Sequence, residues 1–264
     1  MTTRIQNTFA DKKKKLVTFV TGGDPNDNLS EEILKTIIKN GADIIEIGMP
    51  FSDPMADGPT IQLSSNRSLK SGTNLENIFV ICKNLRKLDD NIPIILMGYY
   101  NVILNYGINE FTNKCAKVGI DGVIVVDLQP EEDPELNQSL KKHKIDLIRL
   151  ITPNSTDERI KIISNNASGF LYYVTVTGIT GQKSADINEL DKCIKNIRNF
   201  SPLPIVAGFG INSKEQVKKI CKVADGVVVG SSLVKIIENN IDEKKEMLSL
   251  IGKFVKELKD GTQL

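Results

Sequence analysis

The chain has 264 residues, 40% of them hydrophobic and 25% charged, and its 34 Lys and Arg against 33 Asp and Glu leave a formal net charge of +1. A chain of this length fits within one α/β barrel domain, and its apolar content supports a sizeable core, which excludes a disordered chain. The near-zero charge gives no electrostatic drive toward nucleic acid or an anionic membrane, so the expected partner is a small molecule or another protein.

The opening segment Met1-Thr2-Thr3-Arg4-Ile5-Gln6 lacks an apolar signal core, and no stretch approaches the ~20 apolar residues of a membrane span. The four cysteines, Cys82, Cys115, Cys193 and Cys221, form no C-x-x-C and His143 is the single histidine, so neither zinc nor any other metal is expected. Each cysteine sits among apolar residues at helical spacing, which suits reduced core thiols in a reducing compartment, a cytoplasm or a plastid stroma.

In chain order, the basic run Lys12–Lys15 reads as a solvated helix end after an extra N-terminal helix. Eight short β-branched runs follow, at 16–21, 43–48, 93–97, 122–127, 145–150, 169–175, 204–208 and 225–229. Most are apolar on both faces, as in Val123-Ile124-Val125-Val126 and Val227-Val228-Val229, which is what parallel strands covered by helices require. The segments between them carry a 3.6-residue period and capping-box spacings at Thr73 with Glu76, Ser155 with Glu158 and Ser213 with Gln216. Stripes such as Leu190, Cys193, Ile194 and Ile197 then face the sheet.

Eight βα units without a linker favour a single closed (β/α)8 barrel domain over residues 1–264 rather than an open doubly wound sheet. In such a barrel, catalytic residues lie at strand C-terminal ends and in the loops that follow.

The second strand places Ile44, Glu46 and Gly48 on one face and Ile45 and Ile47 on the other. A carboxylate inside an apolar strand must be hydrogen-bonded, held neutral with a raised pKa, or both. A structural Glu tied to a neighbouring strand and a proton-transferring Glu both fit this segment. The turn-rich Pro50–Pro59 excursion follows, and its Asp57 is either a turn or capping residue for a helix beginning at Pro59 or a partner of Glu46 at the barrel mouth; Asp53 has the stronger turn explanation. Glycines cluster at Gly178 and Gly181, at Gly208 and Gly210, and at Gly230 before Ser231, where backbone N–H groups can approach an anion.

These residues resemble the tryptophan synthase alpha family. The resemblance is carried by the segment Glu46–Gln62, and by Thr21-Gly22-Gly23-Asp24-Pro25, Met97-Gly98-Tyr99-Tyr100-Asn101, Tyr172–Gly181, Gly208-Phe209-Gly210-Ile211 and Gly230-Ser231-Ser232, in order along nearly the whole chain. It implies retro-aldol cleavage of indole-3-glycerol phosphate to indole and glyceraldehyde 3-phosphate without a cofactor, in an α2β2 heterotetramer with a beta subunit. By the same resemblance Glu46 is the general acid/base and Asp57 holds the indole N–H. Phe19, Tyr99, Tyr172 and Phe209 then lie near the indole and glycerol, though each is also an ordinary core aromatic. Gly181, Gly210, Gly230 and Ser231 match the phosphate cradle, and Thr180 the residue through which a loop closes toward Asp57.

Two departures stand out. Gln129 replaces the first proline of the family's Asp-Leu-Pro-Pro-Glu-Glu, restoring an N–H in a loop that in the family approaches the beta subunit. Gln182-Lys183-Ser184 stands where many members carry Ala-Arg. A free-standing lyase that releases indole without a partner is the alternative enzyme. A silent barrel that only activates a partner is disfavoured by the joint presence of Glu46 and Asp57, and a phosphosugar isomerase by the lack of its Lys and His groups, with His143 at a surface helix end.

Overall fold

The computed structural model describes residues 2–174, 187–208 and 210–263. Eight parallel strands close into a barrel in sequence order, β1 Lys15–Thr21, β2 Ile44–Gly48, β3 Ile94–Gly98, β4 Gly122–Val125, β5 Asp146–Ile151, β6 Leu171–Val174, β7 Ile205–Gly208 and β8 Gly226–Val229, with β8 pairing back onto β1. The helices are α1 Arg4–Phe9, α2 Asp27–Lys39, α3 Pro59–Lys70, α4 Leu75–Leu88, α5 Tyr100–Tyr106, α6 Ile108–Val118, α7 Pro134–Lys142, α8 Asp157–Asn165, α9 Ile187–Arg198, α10 Lys214–Ile220, α11 Ser231–Asn239 and α12 Lys244–Gly261. Among the described residues no helix is long and apolar enough to cross a membrane.

Two apolar layers follow from the strand alternation. Val17, Ile44, Ile95, Ile124, Ile148, Val206 and Val228 fill the barrel interior, and Ile5 of α1 joins them as a plug. The alternate residues, Leu16, Ile45, Ile47, Leu96, Val123 and Val227 among them, pack outward against the helices. The expected stripe of α9 lies in that outer layer, with Leu190, Ile194 and Ile197 buried and Cys193 half-buried.

The N-terminal rim is tied by a fourfold pattern. Before each even strand stands a polar residue whose side chain accepts the first or second N–H of the preceding odd strand. These pairs are Asp43 with Leu16 (2.7 Å), Asp121 with Ile94 (2.9 Å), Ser168 with Leu147 (2.9 Å) and Asp225 with Ile205 (2.9 Å). The three carboxylates also carry cations: Lys259 on Asp43, Arg86 and Arg4 on Asp121, and Arg198 on Asp225. Orphan strand N–H groups are thus satisfied at the end opposite the expected site.

Local chemistry differs from the sequence reading in four places. The N-cap of α4 is Asn74, which forms a capping box with Asn77, while Thr73 Oγ1 donates to Asp27 Oδ1 at 2.6 Å. The N-cap of α8 is Thr156, and Ser155 Oγ accepts from Thr152 N instead. Both corrections have one cause: two cap-competent residues stand side by side, and three-residue spacing cannot choose between them. Ser213 caps α10 as expected, although Gln216 Oε1 accepts from Asn212 N rather than from Ser213. The run Lys12–Lys15 is not a helix end. Lys12 and Lys13 are exposed beyond α1, whereas Lys15 opens β1, is 4% exposed and holds Asp11 Oδ1 at 2.5 Å.

Candidate active site

Glu46 points into the barrel, on the same side of β2 as Ile44 and Gly48, and is fully buried. Neither carboxylate oxygen has a hydrogen-bond partner among the described residues. Among the described residues no neighbouring strand supplies the hydrogen bond that a structural Glu would need. Burial alone pushes its carboxyl from 4.5 up to about 8, so near neutral pH it is mostly the neutral acid. Burial raises the phenol of Tyr172 of β6, and the nearby Glu46 adds to the shift.

Asp57 sits in the segment between β2 and α3. A capping role falls away, because Gly58 occupies the N-cap of α3 and Pro59 the first helical position. The Asp57 backbone closes a turn onto Pro54 O, and its side chain turns to Tyr99, whose hydroxyl donates to Oδ2 at 2.9 Å. That hydroxyl also accepts the Ala56 N–H at 3.0 Å. Burial raises the Asp57 carboxyl and the Tyr99 bond opposes the shift. Asp53 is exposed and accepts from Ser52 Oγ, in keeping with a turn residue.

A cavity at the C-terminal mouth brings together Phe19, Asp57 and Tyr99 with Thr21, Gly48, Met49, Ile61, Ser65, Met97, Gly98 and Val126. Glu46 is not in this lining; it lies one inward position below Gly48. Gly48 must lack a side chain because a Cβ there would stand 2.7 Å from Phe19 Cζ. Phe19 also packs against Gly230, where a Cβ would meet its ring at 3.2 Å. Its ring therefore fills the space between the ends of β2 and β8.

Gly230 occupies the N-cap position of α11 and makes no side-chain cap bond, and Ser231 opens the helix, so the first-turn N–H groups take no cap from the N-cap residue itself. Ser232 Oγ donates to Ile211 O at 2.7 Å and fastens this helix start to the segment carrying Gly210. Thr180, Gly181 and Phe209 lie outside the described residues, as do Gly178 and Gln182-Lys183-Ser184.

Several groups at the mouth had no motif to mark them. Thr21 Oγ1 and Ser64 Oγ are 2.5 Å apart and buried, and Ser68 Oγ donates to Gly22 O at 2.6 Å, so a serine stripe on α3 clasps the end of β1. Arg67 of α3 grips the fully buried Asp24 carboxylate through two bonds of 2.8 and 2.9 Å and reaches Glu238 of α11 at 3.5 Å. The helix that follows Asp57 is thereby fixed against the helix that follows Gly230. The Gln129 loop is also held: Arg149 of β5 pairs with Asp133 and donates to Leu128 O at 3.0 Å, and Arg159 of α8 contacts Gln129 Oε1 and Glu131. Gln129 keeps a proline-like φ of −72°.

Residues 5–263 match the family model described as tryptophan synthase alpha chain. The tryptophan synthase alpha chain of Geotalea uraniireducens is 47% identical over 98% of each chain, and that of Petrotoga mobilis is 43% identical over 97% of this chain and 98% of its own. Among solved structures, the tryptophan synthase subunit alpha of Legionella pneumophila superposes with a TM-score of 0.92 at 34% identity over 99% of each chain. An aminoacrylate-bound tryptophan synthase from M. tuberculosis gives 0.88 at 27% identity, over 99% of this chain and all of that one. A full-length family match, near-half identity to curated relatives and the same closed barrel agree: the chain belongs to the tryptophan synthase alpha chain family.

Proposed function

We propose that Glu46 and Asp57 carry the lyase reaction of this family, the retro-aldol cleavage of indole-3-glycerol phosphate to indole and glyceraldehyde 3-phosphate. The observation that carries the assignment is a buried Glu46, without a hydrogen-bond partner among the described residues and with a raised pKa, beneath a barrel mouth lined by an anchored Asp57.

Glu46, as the neutral acid, gives its proton to indole C3. The ring becomes an indoleninium with positive charge spread toward N1, and Asp57 accepts the N1–H and stabilises that charge. The bond from C3 to the first glycerol carbon then breaks, its electron pair restoring the aromatic ring. The hydroxyl on that carbon becomes the aldehyde, and its proton returns to the Glu46 carboxylate. Protons balance over the cycle, so one group with a pKa near neutrality suffices and no electron acceptor is required. Phe19, Tyr99 and Tyr172 flank the indole and glycerol. Gly210, Gly230 and Ser231 hold the phosphate with the N-terminal N–H groups of α11, and Thr180, Gly181 and Phe209 complete the set by the family resemblance.

The phosphate assignment is checked by Gly210→Val. Among the described residues no atom lies within 4 Å of where its Cβ would stand, so the variant folds while its side chain enters the anion's space. Inhibition by glycerol phosphate weakens at least about tenfold, roughly 1.4 kcal/mol; unchanged inhibition moves the phosphate site elsewhere.

A beta subunit is the expected partner, in an α2β2 assembly. Steady-state indole release from indole-3-glycerol phosphate, with and without saturating beta subunit, tests both assignments. Activity rises with the partner, because its surface favours the closed, water-excluding form of the mouth. Full activity without any partner selects the free-standing lyase, and no indole under either condition refutes the reaction.

A further inference from the structure

We propose that Asp127 is a positioning residue for Asp57, acting through the start of α5 and through Tyr99; the proposal rests on the reading of Asp57 given above. Tyr99 occupies the N-cap place of α5 but makes no capping bond with its own side chain. The cap arrives from the next βα unit. Asp127 Oδ1, just beyond β4, accepts the Tyr100 N–H at 2.8 Å. One residue before Asp127, Val126 N donates at 3.0 Å to the carbonyl of Gly98, two residues before Tyr100. Residues 98 and 100 are therefore both fastened to 126 and 127, and Tyr99 is bracketed between them.

The bracketed residue is the one that holds Asp57. Tyr99 is 3% exposed, its ring centroid lies 5.3 Å from that of Phe51, and its hydroxyl spans Ala56 N and Asp57 Oδ2. Asp127 is itself anchored rather than free, since the next residue, Leu128, accepts from buried Arg149 and the one after is held by Arg159. Loss of the Asp127 cap lets the α5 start and the Tyr99 ring shift. A displacement of ~1 Å at the hydroxyl suffices to spoil the placement of a group that must meet developing charge. Asp127 is exposed, so its removal leaves no unpaired buried charge and the barrel remains folded.

The test uses Asp127→Ala, Asp127→Asn, Tyr99→Phe and the Asp127→Ala/Tyr99→Phe double variant in the full chain. Asp127→Ala lowers kcat for indole release about tenfold with KM within about twofold, because placement rather than ground-state binding is lost. Asp127→Asn recovers most of that loss, since the amide oxygen still accepts the Tyr100 N–H. In the double variant the Asp127 change adds nothing beyond Tyr99→Phe, because both act through one hydroxyl. Independently of activity, tyrosine labelled with ¹³C at Cζ reports the hydroxyl, with its resonance assigned by Tyr99→Phe; it moves in Asp127→Ala and returns in Asp127→Asn. Additive losses in the double variant, or a Tyr99 resonance unmoved by Asp127→Ala, overturn the relay. A wild-type chain that releases no indole refutes the reaction, and the resonance still decides whether Asp127 places Tyr99.

Discussion

Glu46→Gln is expected to abolish indole release while making the protein more stable at alkaline pH. The amide keeps the size of the neutral acid but cannot move a proton, so kcat falls on the order of 10³-fold or more with KM little changed. The stability gain follows from linkage. The carboxyl titrates at 4.5 when unfolded and at about 8 in the barrel, so between these values the native state binds more protons than the unfolded state. Stability contributed by the protonated group is fully present below pH 4.5 and is lost as pH rises through about 8. Burying the ionised form thus costs on the order of 5 kcal/mol above that pH. Glutamine has no such ionisation, and both side chains share the cost of an unpartnered polar group, so the difference between the proteins isolates the charge. Urea denaturation should give matching midpoints near pH 4.5 and a higher midpoint for Glu46→Gln near pH 9, while wild-type kcat/KM declines above about pH 8. Equal midpoints at both pH values would sink the raised pKa. A variant within about tenfold of wild-type kcat would sink the proton shuttle.

What the sequence discloses of this site depends on how local the determining contact is. The β2 alternation placed Glu46 and Ile44 on one face because a strand's period is fixed by its own backbone, and the apolar neighbours implied a carboxyl that is hydrogen-bonded, held neutral with a raised pKa, or both. The eight strands were legible for the same reason, since Ile44, Val123 and Val227 declare a doubly covered sheet without reference to their partners. The caps slipped by one residue where Thr73 adjoins Asn74 and Ser155 adjoins Thr156, because helix phase, set by packing, chooses between equally competent neighbours.

Contacts that need strand order were hidden. The residues Asp43, Asp121, Ser168 and Asp225 stand just before even strands at uneven separations, and their role required knowing which odd strand each one reaches. The Asp24–Arg67 pair carries no sequence pattern at all: its members are 43 residues apart and meet only because α3 crosses the end of β1. Tyr99 was legible as an aromatic near the pocket. Its hydroxyl's hold on Asp57 was not, since that depends on the path of the segment from Pro50 to Gly58.

That hold makes Asp57→Asn an unusually clean measurement of charge. In many loops, neutralising an aspartate also releases the backbone around it. Here the Tyr99 hydroxyl donates to Asp57 Oδ2, and an amide oxygen in the same place accepts the same bond, so the turn from Pro54 and the Ala56 contact persist. The same amide oxygen has a second lone pair with which to accept the indole N–H in the ground state, the amide nitrogen being turned away from it. What disappears is a negative charge in a desolvated place, where burial already strains it enough to raise its carboxyl. Such a charge matters most when the protonated ring becomes cationic, a stage reached after substrate is bound. The expected result is a fall in kcat of about 10²- to 10³-fold, roughly 3–4 kcal/mol, the range found when one group facing developing charge is removed. KM should stay within about threefold, since ground-state contacts are conserved. Steady-state indole release over a range of substrate concentrations separates the two effects. A raised KM with unchanged kcat would make Asp57 a ground-state binder and leave Glu46 to work without an electrostatic partner.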